Sequence, residues 1–256
     1  MARRIPPLAW TAISAAALVA AWLACTWGGL VRDLFLPPPD ELWDGLVDLV
    51  ENGYGGRSLG EHIGISLMRV SAGFVTGAVA GTLLGLAMGY WHRLGAVMAP
   101  FVEFLRPLPQ LAYLMLLIIW FGIGEESKII LLFLAALPVS AVAARDGVRN
   151  LPASRVQVAR SLGASEWQIF RHVVFPSALP EIFTGARLSI GIVYGTLIAA
   201  EIIAGNSGLG WMILDAGRFL RSDYVFAGIL IIGAMGLALN WLLLALEARF
   251  VHWAGK

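Results

Sequence analysis

The chain has 256 residues, of which 59% are hydrophobic and only 14% charged, with a mean hydropathy of +0.78, whereas soluble chains carry about 25% charged residues. The apolar residues gather into six stretches of roughly 16 to 27 residues, near the ~20 that cross a bilayer as helix. Disorder, a disulfide-built secreted domain and a transmembrane barrel are excluded, and an all-α polytopic membrane protein is predicted.

The first span, 8–30, follows Arg3 and Arg4 and is too long for the apolar core of a signal peptide. It contains the single cysteine, Cys25, so the chain alone builds neither a disulfide nor a cysteine-rich metal site. Pro37-Pro38-Pro39 cannot continue a helix. Asp40 then caps a short amphipathic helix at 40–51, outside the bilayer, with Leu42, Leu46, Leu49 and Val50 on one face. Asn52 to Gly56 is a loop, and Ser58 to Arg69 an elbow helix leading into the second span, 70–91. That span carries Gly73, Gly77, Gly81, Gly85 and Gly89 at strict four-residue spacing. Such a stripe is a helix-packing groove, because small residues admit a neighbouring backbone in lipid.

The third and fourth spans, 107–123 and 129–145, meet at an external turn from Gly122 to Lys128. Pro107 and Pro109 start the third, and Pro138 kinks the fourth unless neighbours satisfy the freed carbonyl. The polar segment 150–176 separates these from the fifth and sixth spans, 181–204 and 224–246. Trp10, Trp27, Trp91, Trp120 and Trp253 fall near span ends, as an aromatic belt requires.

With the N-terminus inside, twelve of the 18 basic residues fall on the cytoplasmic side and six outside; adding the acids gives about +7 inside and −5 outside, with Glu201 left in the membrane. Positive-inside bias therefore places both termini in the cytoplasm.

Within the polar segment, two short helices with a bend are predicted. Gly163 ends the first, Ser165 and Gln168 form a capping box that opens the second, and Pro176 stops it. A basic helix-turn-helix of this kind could contact DNA, a membrane surface or a soluble partner.

The stretch from Gln157 to Pro176 resembles the EAA loop of binding-protein-dependent ABC importer permeases, Glu-Ala-Ala-x3-Gly-x9-Ile-x-Leu-Pro. Gly163 is the central glycine, Val173 and Phe175 are conservative replacements, and Pro176 closes it; Gln157-Val158 departs from the leading Glu-Ala. Leu36-Pro37-Pro38-Pro39, Arg106-Pro107-Leu108-Pro109, Trp120-Phe121-Gly122-Ile123-Gly124-Glu125, Ser127-Lys128-Ile129, Ser161-Leu162-Gly163-Ala164-Ser165 and Ala199-Ala200-Glu201-Ile202 resemble the taurine, alkanesulfonate, nitrate and bicarbonate permeases, the taurine type most. The resemblance implies a type I ABC importer permease fold of six transmembrane helices in the bacterial inner membrane. It implies a homodimer, two cytoplasmic ATPase subunits, a periplasmic or lipid-anchored binding protein and no nucleic-acid partner. ATPase coupling falls, on the same grounds, to Gln157, Ala159, Arg160, Ser161, Leu162, Gly163, Ala164, Ser165 and Pro176.

Composition is consistent with a separate engine, since a P-loop needs a Gly-Lys-Ser/Thr element and the chain has only Lys128 and Lys256. No cofactor or metal is expected in this chain, with ATP and Mg²⁺ held by the partner. Glu201, an intramembrane acid, is a functional candidate by default. With Arg106 and Trp120 it is a candidate for the path or its gate, or else for a structural pair with Arg69, Arg106, Arg187, Arg218 or Arg221. Two readings from other classes compete. Gly205-Asn206-Ser207-Gly208 matches the nucleophile element of intramembrane serine proteases, but no histidine is placed as its base; a secondary transporter or channel would show mid-membrane ion sites and inverted repeats.

Overall fold

The computed structural model describes residues 7–253. Among them the ordered structure is helical, apart from an isolated bridge between Tyr54 and Arg57. The helices are α1 (Pro7–Trp27), α2 (Pro39–Glu51), α3 (Leu59–Tyr90), α4 (His92–Leu105), α5 (Leu114–Phe121), α6 (Glu125–Arg149) and α7 (Ala153–Ser161). There follow α8 (Glu166–Ala204), α9 (Leu209–Arg218) and α10 (Ser222–Phe250).

Four of these, α3, α6, α8 and α10, are long and apolar enough to cross a membrane, and α4 with the segment Gln110–Phe121 makes a fifth candidate bent by 92°. The span expected at 107–123 is therefore not one helix. Pro107 and Pro109 interrupt it, a 3₁₀ turn at Gln110–Tyr113 follows, and α5 has only eight residues. Hydropathy averages over such a break because prolines flanked by leucines leave the window apolar. The bent pair nevertheless joins opposite ends of the molecule. It leaves α3 at Tyr90, which meets Glu166 at the basic end, and enters α6 at Glu125, which meets Arg69.

Two further expectations are corrected at helix ends. The elbow at 58–69 and the span at 70–91 are one 32-residue helix, α3, opened by a capping box between Ser58 and Glu61. At 1.5 Å per residue it is about 48 Å long, more than the hydrocarbon needs. Asp40 is not the cap of α2: Pro39 takes the first helical position, where its missing N–H costs nothing, and Asp40 lies in the first turn. The apolar face of α2 is covered by protein, with Leu49 buried among Leu209, Met212 and Tyr224 while Val50 is exposed. Tyr54 seals this outer layer by donating to Asp215 at 3.0 Å; burial and that bond push its phenol up to about 12.

The core is a three-helix layer with α6 between α3 and α8. The five stripe glycines of α3, Gly73 to Gly89, face α6 at close range: a Cβ on Gly77, Gly81 or Gly85 would stand 2.5, 2.4 or 2.1 Å from the carbonyl oxygens of Phe133, Leu137 and Ala141. At Gly73 and Gly89 an added Cβ would instead meet the Cβ atoms of Leu132 and Val148, at 2.3 and 2.6 Å. On the other side of α6, Gly185 of α8 approaches Ala143. Val70, Leu132, Ala136, Val193 and Leu197 fill the space between the three helices. Helix α6 continues through Pro138, which is buried.

Candidate functional site

Two places concentrate chemistry. One is the turn between α7 and α8, the other a buried ionic cluster near the opposite ends of α3, α6 and α8.

The turn is built locally. Helix α7 ends in a Schellman motif: the Ala164 N–H donates to Ala159 O at 3.1 Å and the Gly163 N–H to Arg160 O at 2.9 Å, with Gly163 at φ +80°. Ser165 and Gln168 then form the reciprocal capping box, at 2.8 and 3.3 Å. Leu162 at the apex is 82% exposed, and no atom would lie within 4 Å of a Cβ on Gly163. The turn is tied to the membrane helices through Glu166, which accepts from the Tyr90 hydroxyl at 2.6 Å and pairs with Arg160 at 2.9 Å. Gln157, Ala159, Arg160 and Ser161 lie on α7, and Ala164 and Ser165 follow the glycine.

Pro176 does not stop the second helix. Between Phe170 and Val174 the ladder widens to π register, with the Phe175 N–H bonding Phe170 O, and helix continues from Phe175 to Ala204. The shift falls just before Pro176, where an ordinary ladder would need the N–H that proline lacks.

The ionic cluster begins on α3. His62, Ser66 and Arg69 are all fully buried and share one face with the glycine stripe, at spacings that continue it toward the N-terminus. Arg69 is the hub. Its Nη1 donates to Glu201 Oε1 at 2.7 Å and to the Ser207 carbonyl at 2.9 Å. Its Nε and Nη2 make a two-bond fork on Glu125 at 2.5 and 2.6 Å, and Nη2 also reaches Ser207 Oγ at 3.3 Å. Lys128 Nζ lies 3.4 Å from Glu125 Oε1.

Glu201 is thus no bare carboxylate. Besides Arg69 it accepts from Ser66 Oγ at 2.8 Å and from the Gly210 N–H at 2.8 Å. Of the five arginines that the sequence offers as its partner, Arg69 is the one in contact. Gly208, at φ +103°, wraps the carboxylate so closely that a Cβ would stand 2.3 Å from Glu201 Oε1. His62 fixes the same loop: its Nδ1 accepts from the Gly208 N–H at 3.1 Å and its Nε2 faces the Tyr54 carbonyl at 3.1 Å, which assigns the proton to Nε2. Its ring stacks on Trp211 with centroids 5.7 Å apart.

The structure does not gather Glu201, Arg106 and Trp120. Arg106 is exposed beside a cavity of about 460 Å³ with Glu103 and Pro107, and Trp120 lies on the exposed face of α5. Arg187 pairs with Glu247 of α10 at 3.4 Å. Glu125 and Lys128 were missed as site residues because charges in an external turn read as solvated; the signal available was Arg69, four residues before Gly73 and in line with the packing stripe.

A family model described as binding-protein-dependent transport system inner membrane component matches residues 77–252. Over 242 residues the chain is 40% identical to the taurine transport system permease protein TauC of Escherichia coli (strain K12), covering 94% of this chain and 88% of TauC. It is 34% identical to the putative aliphatic sulfonates transport permease protein SsuC of Bacillus subtilis (strain 168), over 93% and 85% of the two chains. The nitrate import permease protein NrtB of Leptolyngbya laminosa is 32% identical, over 82% and 76%. Among solved structures, an inward-facing conformation of the MetNI methionine ABC transporter superposes with a TM-score of 0.65 at 19% identity, covering 77% of this chain and 96% of that one; at that identity it shows the shared fold. The protease and secondary-transporter readings are set aside. The chain belongs to the binding-protein-dependent transport system inner membrane component family, as a multi-pass inner-membrane permease subunit of an ABC importer in the taurine, sulfonate and nitrate branch.

Proposed function

We propose that this chain, paired with a second copy, forms the path of an ATP-driven importer for a small anion, most favourably a sulfonate, and is driven by a separate ATPase through the segment 157–176. The carrying observation is mechanical. The exposed turn at Leu162 and Gly163 is clamped to Tyr90 through Glu166, and from Glu166 one helix continues to Ala204. That is a lever of about 58 Å at the usual rise. A push on the turn is carried along α8 to Glu201 and Arg69 at the far end, a hinge-type switch biased by nucleotide in the partner.

In this reading ATP and Mg²⁺ belong to the ATPase pair, and a binding protein delivers solute to the acidic face. Counting α1 and the bent pair as one crossing each makes six in this reading, and the positive-inside bias supports a cytoplasmic position for the basic turn. The sulfonate preference rests on the 40% identity to TauC. The test is reconstitution of the chain in liposomes with its ATPase and binding protein. Taurine or an alkanesulfonate should stimulate ATP hydrolysis and accumulate inside; stimulation by nitrate alone would move the chain to another solute, and no stimulation by any small anion would refute the reading.

A further inference from the structure

The two carboxylates on Arg69 are held in different ways. Glu201 is locked: its side chain has no exposure, and Ser66, the Gly210 N–H and the wall of Gly208 enclose it. Glu125 binds only the two cations, Arg69 and Lys128, and its side chain is 44% exposed. It is the first residue of α6, preceded by Gly122 and Gly124, and open space surrounds the α-carbons of both glycines. Glu125 can therefore leave by a local movement that Glu201 cannot make.

Its departure would expose a defined set of donors. Arg69 Nε and Nη2 present two parallel N–H groups on one edge of the guanidinium, the geometry that matches a planar or tetrahedral oxyanion in two bonds. Lys128 Nζ stands beside them, its side chain 3% exposed and its one ion-pair contact the 3.4 Å approach to Glu125. Two buried cations would then face the single charge of Glu201. An unpaired buried charge is costly, so release of Glu125 calls for another anion in its place.

We propose that Glu125 is a built-in stand-in for the transported anion: the Nε–Nη2 edge of Arg69 together with Lys128 Nζ is an oxyanion site, filled by the Glu125 carboxylate at rest and by the sulfonate or related group of the solute when Glu125 swings out. The exchange replaces one negative charge by another and leaves the cluster neutral. The choice of ligand class rests on the importer reading above; the site itself rests on the donor geometry.

The test uses the purified full chain in detergent, with sodium ethanesulfonate as probe. In Glu125→Gln, which keeps the side-chain length but not the charge, ethanesulfonate should raise the melting temperature saturably, and sodium chloride at equal ionic strength should not. The wild-type chain should bind about tenfold more weakly or worse, because its own carboxylate competes, and E125Q/K128M should lose about tenfold or more of the affinity gained. A folded Glu125→Gln with no saturable response, a response matched by chloride, or affinity indifferent to Lys128→Met would overturn the proposal. Should Glu125→Gln fail to fold, Glu125→Asp retains the charge with a shorter reach, and ethanesulfonate binding no stronger than wild type would overturn it equally. Failure of the importer reading looks different: ethanesulfonate on the fork with no sulfonate uptake by the reconstituted complex removes the solute and spares the site. Unaltered uptake kinetics in Lys128→Met spare the importer and remove the site.

Discussion

Arg69 Nη1 lies 2.7 Å from Glu201 Oε1 with neither side chain reached by solvent, so α3 and α8 share a charge pair that neither helix could bury alone. Removing one partner strands the other. Arg69→Met leaves the buried Glu201 carboxylate without its cation and should cost about 3–5 kcal/mol, and Glu201→Leu a similar amount. The double replacement should cost clearly less than the sum, since the buried charges go together. Denaturant unfolding in mixed micelles reads all three; additive losses would mean that the pair is not coupled.

The glycine stripe makes a prediction with its own control. Gly85→Ala would put a methyl 2.1 Å from the Ala141 carbonyl, and α6 would have to move. A loss of about 1–3 kcal/mol follows from such overpacking. Gly191 on α8 has nothing within 4 Å of an added Cβ, and Gly191→Ala should gain about 0.5–1 kcal/mol from helix propensity alone. Equal effects at the two positions, measured by thermal unfolding, would contradict the observed α3–α6 contact.

How much of this was legible in the sequence depends on range. The stripe, the turn at Gly163 and the Ser165–Gln168 box are set by residues three to five apart, and local spacing reveals them. The partners of Arg69 are not local: Glu125 is 56 residues away and Glu201 132, and the sequence offers five arginines for Glu201, Arg106 and Arg187 reading better as anchors at the cytoplasmic boundary, with only tertiary contacts to choose among them. The broken third span was hidden for a different reason, because hydropathy records transfer free energy and is blind to the missing N–H groups of Pro107 and Pro109. Pro176 misled in the opposite direction: five π residues lie just before it and the helix runs on from Phe175, as α6 also runs on through Pro138.

The outer layer should respond to acid. The Tyr224 hydroxyl donates to Asp48, Asn52 donates to it at 2.6 Å, and Arg221 lies 3.9 Å away. The Tyr224 bond first, then that of Asn52, holds the carboxyl below its usual range. A depressed folded pKa gives stability that is present above the unfolded value, about 3.9, and is lost as pH falls through the folded value. Amide exchange in α2 should therefore quicken on acidification below about pH 4, and Asp48→Asn should flatten that dependence while leaving α2 less protected at neutral pH. An unchanged acid profile in Asp48→Asn would show that another group governs it.

Gly163 sits at φ +80° with open space around it in this chain, so a side chain there meets no obstacle within the chain and acts on the shape of the turn through the backbone. The left-handed conformation is easy for glycine, tolerable for asparagine and costly for β-branched residues. Gly163→Val should force φ negative, break the bonds from Gly163 and Ala164 back to Arg160 and Ala159, and swing Leu162 away from its place at the apex. Solute-stimulated ATP hydrolysis in the reconstituted complex should fall at least about tenfold in Gly163→Val, less in Gly163→Ala and least in Gly163→Asn, following the strain of about 1–2 kcal/mol that the left-handed region imposes. Overall helicity and the unfolding midpoint should hardly move, because the turn is exposed and the membrane helices keep their contacts. Coupled turnover that ignores the order valine, alanine, asparagine would show that the shape of this turn does not transmit the ATPase stroke.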